Sequence, residues 1–96
     1  MTMQDPPLIE HAPDRQRFTC QMGAHLCVLD YRLDGGHLAI THTGVPPAVG
    51  GRGIAAALTL AAFEYARHQR LKILPLCSYA ATWVQRHPQW LPWVVG

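Results

Sequence analysis

The chain has 96 residues, enough for one domain and too few for two, since chains divide into domains of about 100 to 200 residues. It is 49% hydrophobic and only 15% charged, which excludes a disordered chain and favours an apolar compact unit whose small core must be built efficiently. Eight Lys and Arg against six Asp and Glu leave a formal charge of +2, and the basic residues are scattered, which argues against the basic stripe of a nucleic-acid-binding domain.

In chain order, residues 1–16 hold three prolines and no hydrophobic period, and are expected to form an extended or flexible N-terminal tail ahead of a single domain spanning 17–96. Arg17–Gln21, Ala24–Arg32 and Gly36–Gly44 are rich in β-branched, aromatic and aliphatic residues and are separated by Met22-Gly23 and Asp34-Gly35-Gly36. They predict three antiparallel strands joined by tight turns. Strict alternation places Cys27, Leu29 and Tyr31 on one face of the second strand, and groups His42 with Leu38 and Ile40 on the third. It also sends His37 and His42 to opposite faces, and no His/Asp/Glu spacing supports a metal site.

Ile54–Gln69 has no internal glycine or proline and predicts a largely buried helix, with Ile54, Leu58, Ala61 or Ala62, and Tyr65 in one stripe, widened by Leu60 and Phe63. Leu71–Leu74 reads as a strand completing a β-α-β crossover, and Pro75 ends it. Cys77–Arg86 predicts a second helix, apolar at Tyr79, Ala80, Trp83 and Val84 and stopped by His87-Pro88. Trp90 and Trp93 in the tail are expected to close the core or form a dimer surface. The fold class is therefore α/β (α+β).

No apolar run approaches the roughly 18 residues that span a bilayer, and the N-terminus lacks a signal peptide's hydrophobic stretch, so a cytoplasmic protein without membrane contact is expected. Three cysteines, Cys20, Cys27 and Cys77, show neither C-x-x-C nor zinc-finger spacing, which predicts reduced thiols.

Val45-Pro46-Pro47-Ala48-Val49-Gly50-Gly51-Arg52-Gly53-Ile54-Ala55 is a glycine-rich bend opening a helix, where free amides and the positive end of the helix dipole favour phosphate. It matches neither G-x-x-x-x-G-K-[ST] nor G-x-G-x-x-G, so an NTPase or Rossmann dinucleotide site is disfavoured. The segment resembles the acetyl-coenzyme A motif of the GCN5-related N-acetyltransferase superfamily, commonly written Q/R-x-x-G-x-G/A. His42-Thr43-Gly44-Val45-Pro46, Tyr65-Ala66-Arg67, Pro75-Leu76-Cys77-Ser78-Tyr79 and Arg86-His87-Pro88 extend the likeness from Arg17 to about Trp93, and look like a small single-domain subfamily. One departure is Gly50, where the superfamily usually has arginine or glutamine; its loss is expected to weaken cofactor binding without changing the mode.

The resemblance implies a minimal fold of three antiparallel strands, a glycine turn into a central helix, a parallel fourth strand and a second helix. It implies an acetyl-coenzyme A dependent N-acetyltransferase acting on an amine of unknown identity, as monomer or homodimer. Val45, Gly50, Gly51, Arg52, Gly53, Ile54 and Ala55 would hold acetyl-coenzyme A as cosubstrate, with no metal. Arg52 either contacts a phosphate or is a solvated loop side chain. The pantetheine arm would lie between the third strand and Leu71–Leu74.

Cys77 and His42 are the catalytic candidates. Cys77 follows a strand end and opens a helix, where the dipole stabilises a thiolate, although cysteine is also a common core residue. It could act as acid in direct transfer or as the nucleophile of a thioester route. His42 is either a satisfied core group or the general base. Cys20 and Cys27 are expected in the core, His87 as an anchor of the second helix, and His11, His25, His37 and His68 at the surface. The rival reading is a coenzyme A or acyl-coenzyme A binding module without turnover, or an interaction domain on the same fold.

Overall fold

Alternation with a period of two in the first half of the chain folds as an antiparallel meander, and the helical stretch after it crosses over to one parallel strand. The computed structural model describes residues 7–95. Strands β1 (Glu10–Ala12), β2 (Arg17–Met22), β3 (His25–Asp34), β4 (His37–Gly44) and β5 (Lys72–Pro75) lie in that order in one sheet. Helix α1 (Ile54–His68) joins β4 to β5, which run parallel, and α2 (Ser78–Gln85) follows. Gly35 and Gly36, at φ +55° and +82°, supply the two left-handed residues of the tight turn between β3 and β4. No helix of the described residues is long and apolar enough to cross a membrane.

Both helices cover one face. Phe18, Cys20, Cys27, Leu29, Tyr31, Leu38, Ile40 and Ile73 are buried there against Ile54, Leu58, Ala62, Phe63 and Ala66 of α1. Burial of a side chain such as Phe63 contributes about 1.5–3 kcal/mol. Thr59 is the buried polar residue of α1, and its hydroxyl donates to the Ala55 carbonyl (2.8 Å). Leu60, expected to widen the buried stripe, is instead exposed beside Arg67, because the buried arc of α1 runs through Thr59 and Ala62. Phe63 packs against Trp83 and Trp90, with centroids 5.0 and 5.5 Å away, so these two tryptophans close the core.

Two expectations need correction. Glu10–Ala12, inside the stretch read as a tail, is the edge strand and pairs with Arg17–Thr19. It carries His11 inward: the ring stacks on Phe18 (4.0 Å, 2°) and Nε2 lies 2.5 Å from the Tyr31 hydroxyl, so His11 is not a surface residue.

The second correction concerns β4. Tyr31 pairs with Ile40 but Asp30 pairs with His42, so Thr41 is an extra residue in a β-bulge. A one-residue slip exchanges the faces of everything beyond it. His42 therefore leaves the face of Leu38 and Ile40 for that of Asp30, and has the same parity as His37. Thr43, paired with Leu29, takes the core side instead.

Candidate functional site

Strands β4 and β5 part where the sequence stops β5. Their last ladder pair is Ile40 with Pro75, and proline has no amide to extend it. The Leu76 N–H donates to the Leu74 carbonyl (3.0 Å), a three-residue turn about Pro75, and the Cys77 N–H donates to the Ile40 carbonyl (2.9 Å). Thr41 to Gly44 then run on past the end of β5. The result is a gap bounded by the end of β4 on one side and Cys77 on the other.

The glycine turn lies beside this gap. A single 3-10 turn (Pro47–Val49) leads into Gly50; Gly51 is left-handed at φ +78°, and Gly53, the N-cap of α1, at φ +75°. A side chain at either would be strained. The first helical hydrogen bond runs from Ala57 N–H to the Gly53 carbonyl (3.0 Å), the N-cap makes no side-chain bond, and no acidic residue lies in the first turn. The amides of Ile54, Ala55 and Ala56 therefore precede the ladder, and the helix dipole is not offset by a carboxylate. Val45, Gly50, Gly51, Gly53, Ile54 and Ala55 line one cavity of about 250 Å³, together with Ala56 and Tyr79. Backbone donors with a positive dipole end suit a pyrophosphate, so the residues present fit that part of coenzyme A. Arg52 is exposed and outside the cavity lining. Gly50 is extended (φ −67°) and a Cβ there would meet the Pro47 carbonyl oxygen at 3.4 Å, an ordinary contact, so the backbone at this position accommodates a longer residue such as related motifs have.

Cys77 is half-buried and is the N-cap of α2, with extended φ/ψ rather than helical ones. Its Sγ lies 3.4 Å from Thr43 Oγ1. This contact depends on the bulge, which turns Thr43 toward the helices. His42 sits on the opposite face and is exposed. There it continues a cross-strand row: Arg17 pairs with Asp30, and Asp30 with His42. The Arg17 Nε donates to Asp30 Oδ1 at 2.6 Å. Gly44 lies under the imidazole, since a Cβ there would be 2.9 Å from His42 Nε2. The structure thus places the two catalytic candidates on either side of β4.

The sequence pattern does not mark Thr43 and Tyr79, which the structure places at the candidate site. Alternation gave Thr43 to the solvent face, and only the bulge reverses that. Tyr79, one of the apolar positions expected on the second helix, is 39% exposed at the cavity wall. Burial pushes its phenol above the usual 10, against an opposing effect of the Arg86 charge, so it stays protonated at neutral pH. Cys20 and Cys27 face each other across β2 and β3, buried and free, and burial followed by the neighbouring Cys20 pushes the Cys27 thiol up. His87 Nδ1 donates to the Trp83 carbonyl (2.8 Å) and its ring stacks on Trp83, anchoring the end of α2 as expected. No group of three or more His, Cys, Asp or Glu that could hold a metal occurs among the described residues.

Residues 17–92 match the family model of the GCN5-related N-acetyl-transferase. Protein NATD1 of Gallus gallus is 36% identical over 86 residues, covering 86% of this chain and 78% of that protein. Protein NATD1 of Homo sapiens is also 36% identical over 86 residues, with 76% of it covered. The solution structure of a GCN5-like protein from Staphylococcus aureus superposes with a TM-score of 0.74 at 28% identity, covering 93% of this chain and 88% of that one.

Proposed function

The chain belongs to the GCN5-related N-acetyltransferase family, and from that premise we propose that it is an acetyl-coenzyme A dependent N-acetyltransferase. The observation that carries the reading is the uncapped glycine turn opening beside the gap between β4 and β5, with Cys77 at its corner. The amides of Gly51 to Ala55 hold the pyrophosphate. Bound acetyl-coenzyme A would supply the activated acyl group as a thioester.

The chain's own groups are divided by the sheet. Cys77 and Thr43 face the helices, the side of the cradle, while His42 and Asp30 face outward. The acceptor amine approaches from the outer face, and the His42 imidazole takes a proton from its ammonium form. Asp30, held by Arg17, is the cross-strand partner of His42 and adds a carboxylate to the face on which the imidazolium forms. On the other side the thiol of Cys77 and the phenol of Tyr79 carry protons for the departing thiolate.

Titration with acetyl-coenzyme A tests binding: ligand at 100 times its Kd adds about 2.7 kcal/mol of stability, read as a rise in Tm. Incubation with acetyl-coenzyme A and a mixture of amines tests turnover through release of free thiol. Binding without thiol release would leave a coenzyme A binding module, and no shift in Tm would overturn the cofactor reading altogether. If Cys77→Ala and His42→Ala each leave the rate unchanged, the roles given to them are wrong. An acetyl adduct on Cys77 by mass spectrometry requires the two-step route.

A further inference from the structure

The outer face of the sheet holds a pocket of about 320 Å³ lined by Arg15, Gln16, Arg17, Asp30, Arg32 and Thr41. Three guanidinium groups there meet one carboxylate. Arg17 is taken by Asp30, through Nε at 2.6 Å and Nη2 at 3.4 Å, and among the described residues neither Arg15 nor Arg32 has an ion-pair partner. Two positive charges are left facing a concave, polar surface. A guanidinium is a planar fork of N–H donors matched to the oxygens of a carboxylate or phosphate.

The pocket is held in place at a cost. Gln16, between Arg15 and Arg17, is left-handed at φ 51°, a conformation that strains a residue with a side chain. Two bonds hold it there: its carbonyl accepts from Tyr31 N–H (3.0 Å) and its Oε1 from Leu33 N–H (2.8 Å). The segment bearing two of the arginines is thereby fixed against β3, which bears the third. The pocket also adjoins the proposed acceptor side: Thr41 is the bulged residue next to His42, and Asp30 is the cross-strand partner of His42.

We infer that this pocket binds an anionic group, a carboxylate or a phosphate monoester, carried by the acceptor, so that the acceptors are amines bearing such a group close to the nitrogen. The inference rests on the acetyl-transfer reading for the word acceptor, but the anion site itself is measurable without turnover.

Matched probes test it: glycylglycine against glycylglycine amide for the carboxylate, and phosphoethanolamine against ethanolamine for the phosphate. Binding is followed by NMR at the arginine Nε–H and Thr41 amide signals, and turnover by thiol release. At least one probe is expected to bind about tenfold or more tighter than its partner lacking the anionic group, with a preference that shrinks as salt rises. In Arg15→Gln/Arg32→Gln, whose substituted residues are exposed, that preference is lost, KM for the anionic acceptor rises about tenfold, and kcat and acetyl-coenzyme A affinity hold. Which pair shows the preference identifies the anion. Equal binding of probes with and without the anionic group, or a preference unchanged in the double variant, overturns the anion site. Thiol release only with amines lacking an anionic group overturns its role in acceptor choice. Anion binding with no thiol release from any amine overturns the transfer reading and leaves the site standing.

Discussion

Gly44 shows how one missing side chain places another. Its strand neighbours on the outer face are His42 and Val28, and a Cβ would stand 2.9 Å from His42 Nε2 and 3.6 Å from Val28 Cγ2. Gly44→Ala must turn the imidazole away. The displaced rotamer costs about 0.5–1.5 kcal/mol and the alanine returns about 0.5–1 kcal/mol through the unfolded chain, so Tm is expected to move little. Thiol release should nevertheless fall toward the His42→Ala rate. A wild-type rate in Gly44→Ala would remove His42 from the reaction. His11 makes a thermodynamic case. Burial lowers its pKa from the ordinary 6.5, and it faces Tyr31, whose own pKa is pushed up to about 12 chiefly by burial, and Tyr65. The unfolded chain therefore binds the His11 proton more readily than the folded one. Its contribution to stability is present in full above pH 6.5 and is lost as the pH falls from there through the folded value. Urea denaturation from pH 7.5 to 5 should show a steeper loss in the wild type than in His11→Phe, which keeps a stacked ring and does not titrate.

Among the elements, those with strong period and clear punctuation were legible in the sequence. Strands β2 to β4, the helix from Ile54 and the parallel return of β5 fall within a few residues of their expected positions, because core-facing residues repeat and glycine or proline marks the ends. The glycine bend at the candidate site was legible for the same reason, since it stands before an apolar helix. The bulge was not. Periodicity assumes one residue per step, and nothing in Ile40-Thr41-His42-Thr43 marks the extra one; the register becomes visible only when β3 is laid beside β4. That single residue exchanged the environments of His42 and Thr43. Strand β1 was hidden for a different reason: three residues, Glu10-His11-Ala12, are too few for a pattern, and their aromatic contacts come from β2, β3 and α1. At the start of α1, Gly53→Ala puts a Cβ on a left-handed residue and should cost about 1–2 kcal/mol, measured by urea denaturation. The same variant should bind acetyl-coenzyme A more weakly; unchanged affinity would detach the turn from the cofactor.

Across the whole molecule, a small core leaves little reserve. Native domains have about 5–15 kcal/mol in total. Trp90 is 6% exposed, packs edge-on against Phe63 and carries the Arg67 guanidinium 5.1 Å above its ring. Removing it by Trp90→Ala should cost about 3–5 kcal/mol, a large part of that total, and lower Tm steeply. Trp90→Phe should retain most of it. A loss near 1 kcal/mol for the alanine would show that the C-terminal segment is not part of the core. The layout also divides the candidate groups: backbone donors and Cys77 on the helical face, His42 and the arginine pocket on the bare one, with the parted strands between.

That parting has a consequence for how the protein assembles. β2 meets β3, and β3 meets β4, through short turns, so these contacts close small loops and form early. Leu38 meets Ile73 only after the whole of α1 has been brought across, the longest closure between neighbouring strands of the sheet. The gap between β4 and β5 is therefore expected to be the last region to acquire native contacts during refolding. Ile73→Val should act chiefly on the unfolding rate, whereas Leu29→Ala should slow folding, and stopped-flow chevrons of the two would show the difference. A chain caught just short of the native state would hold an intact meander and no site.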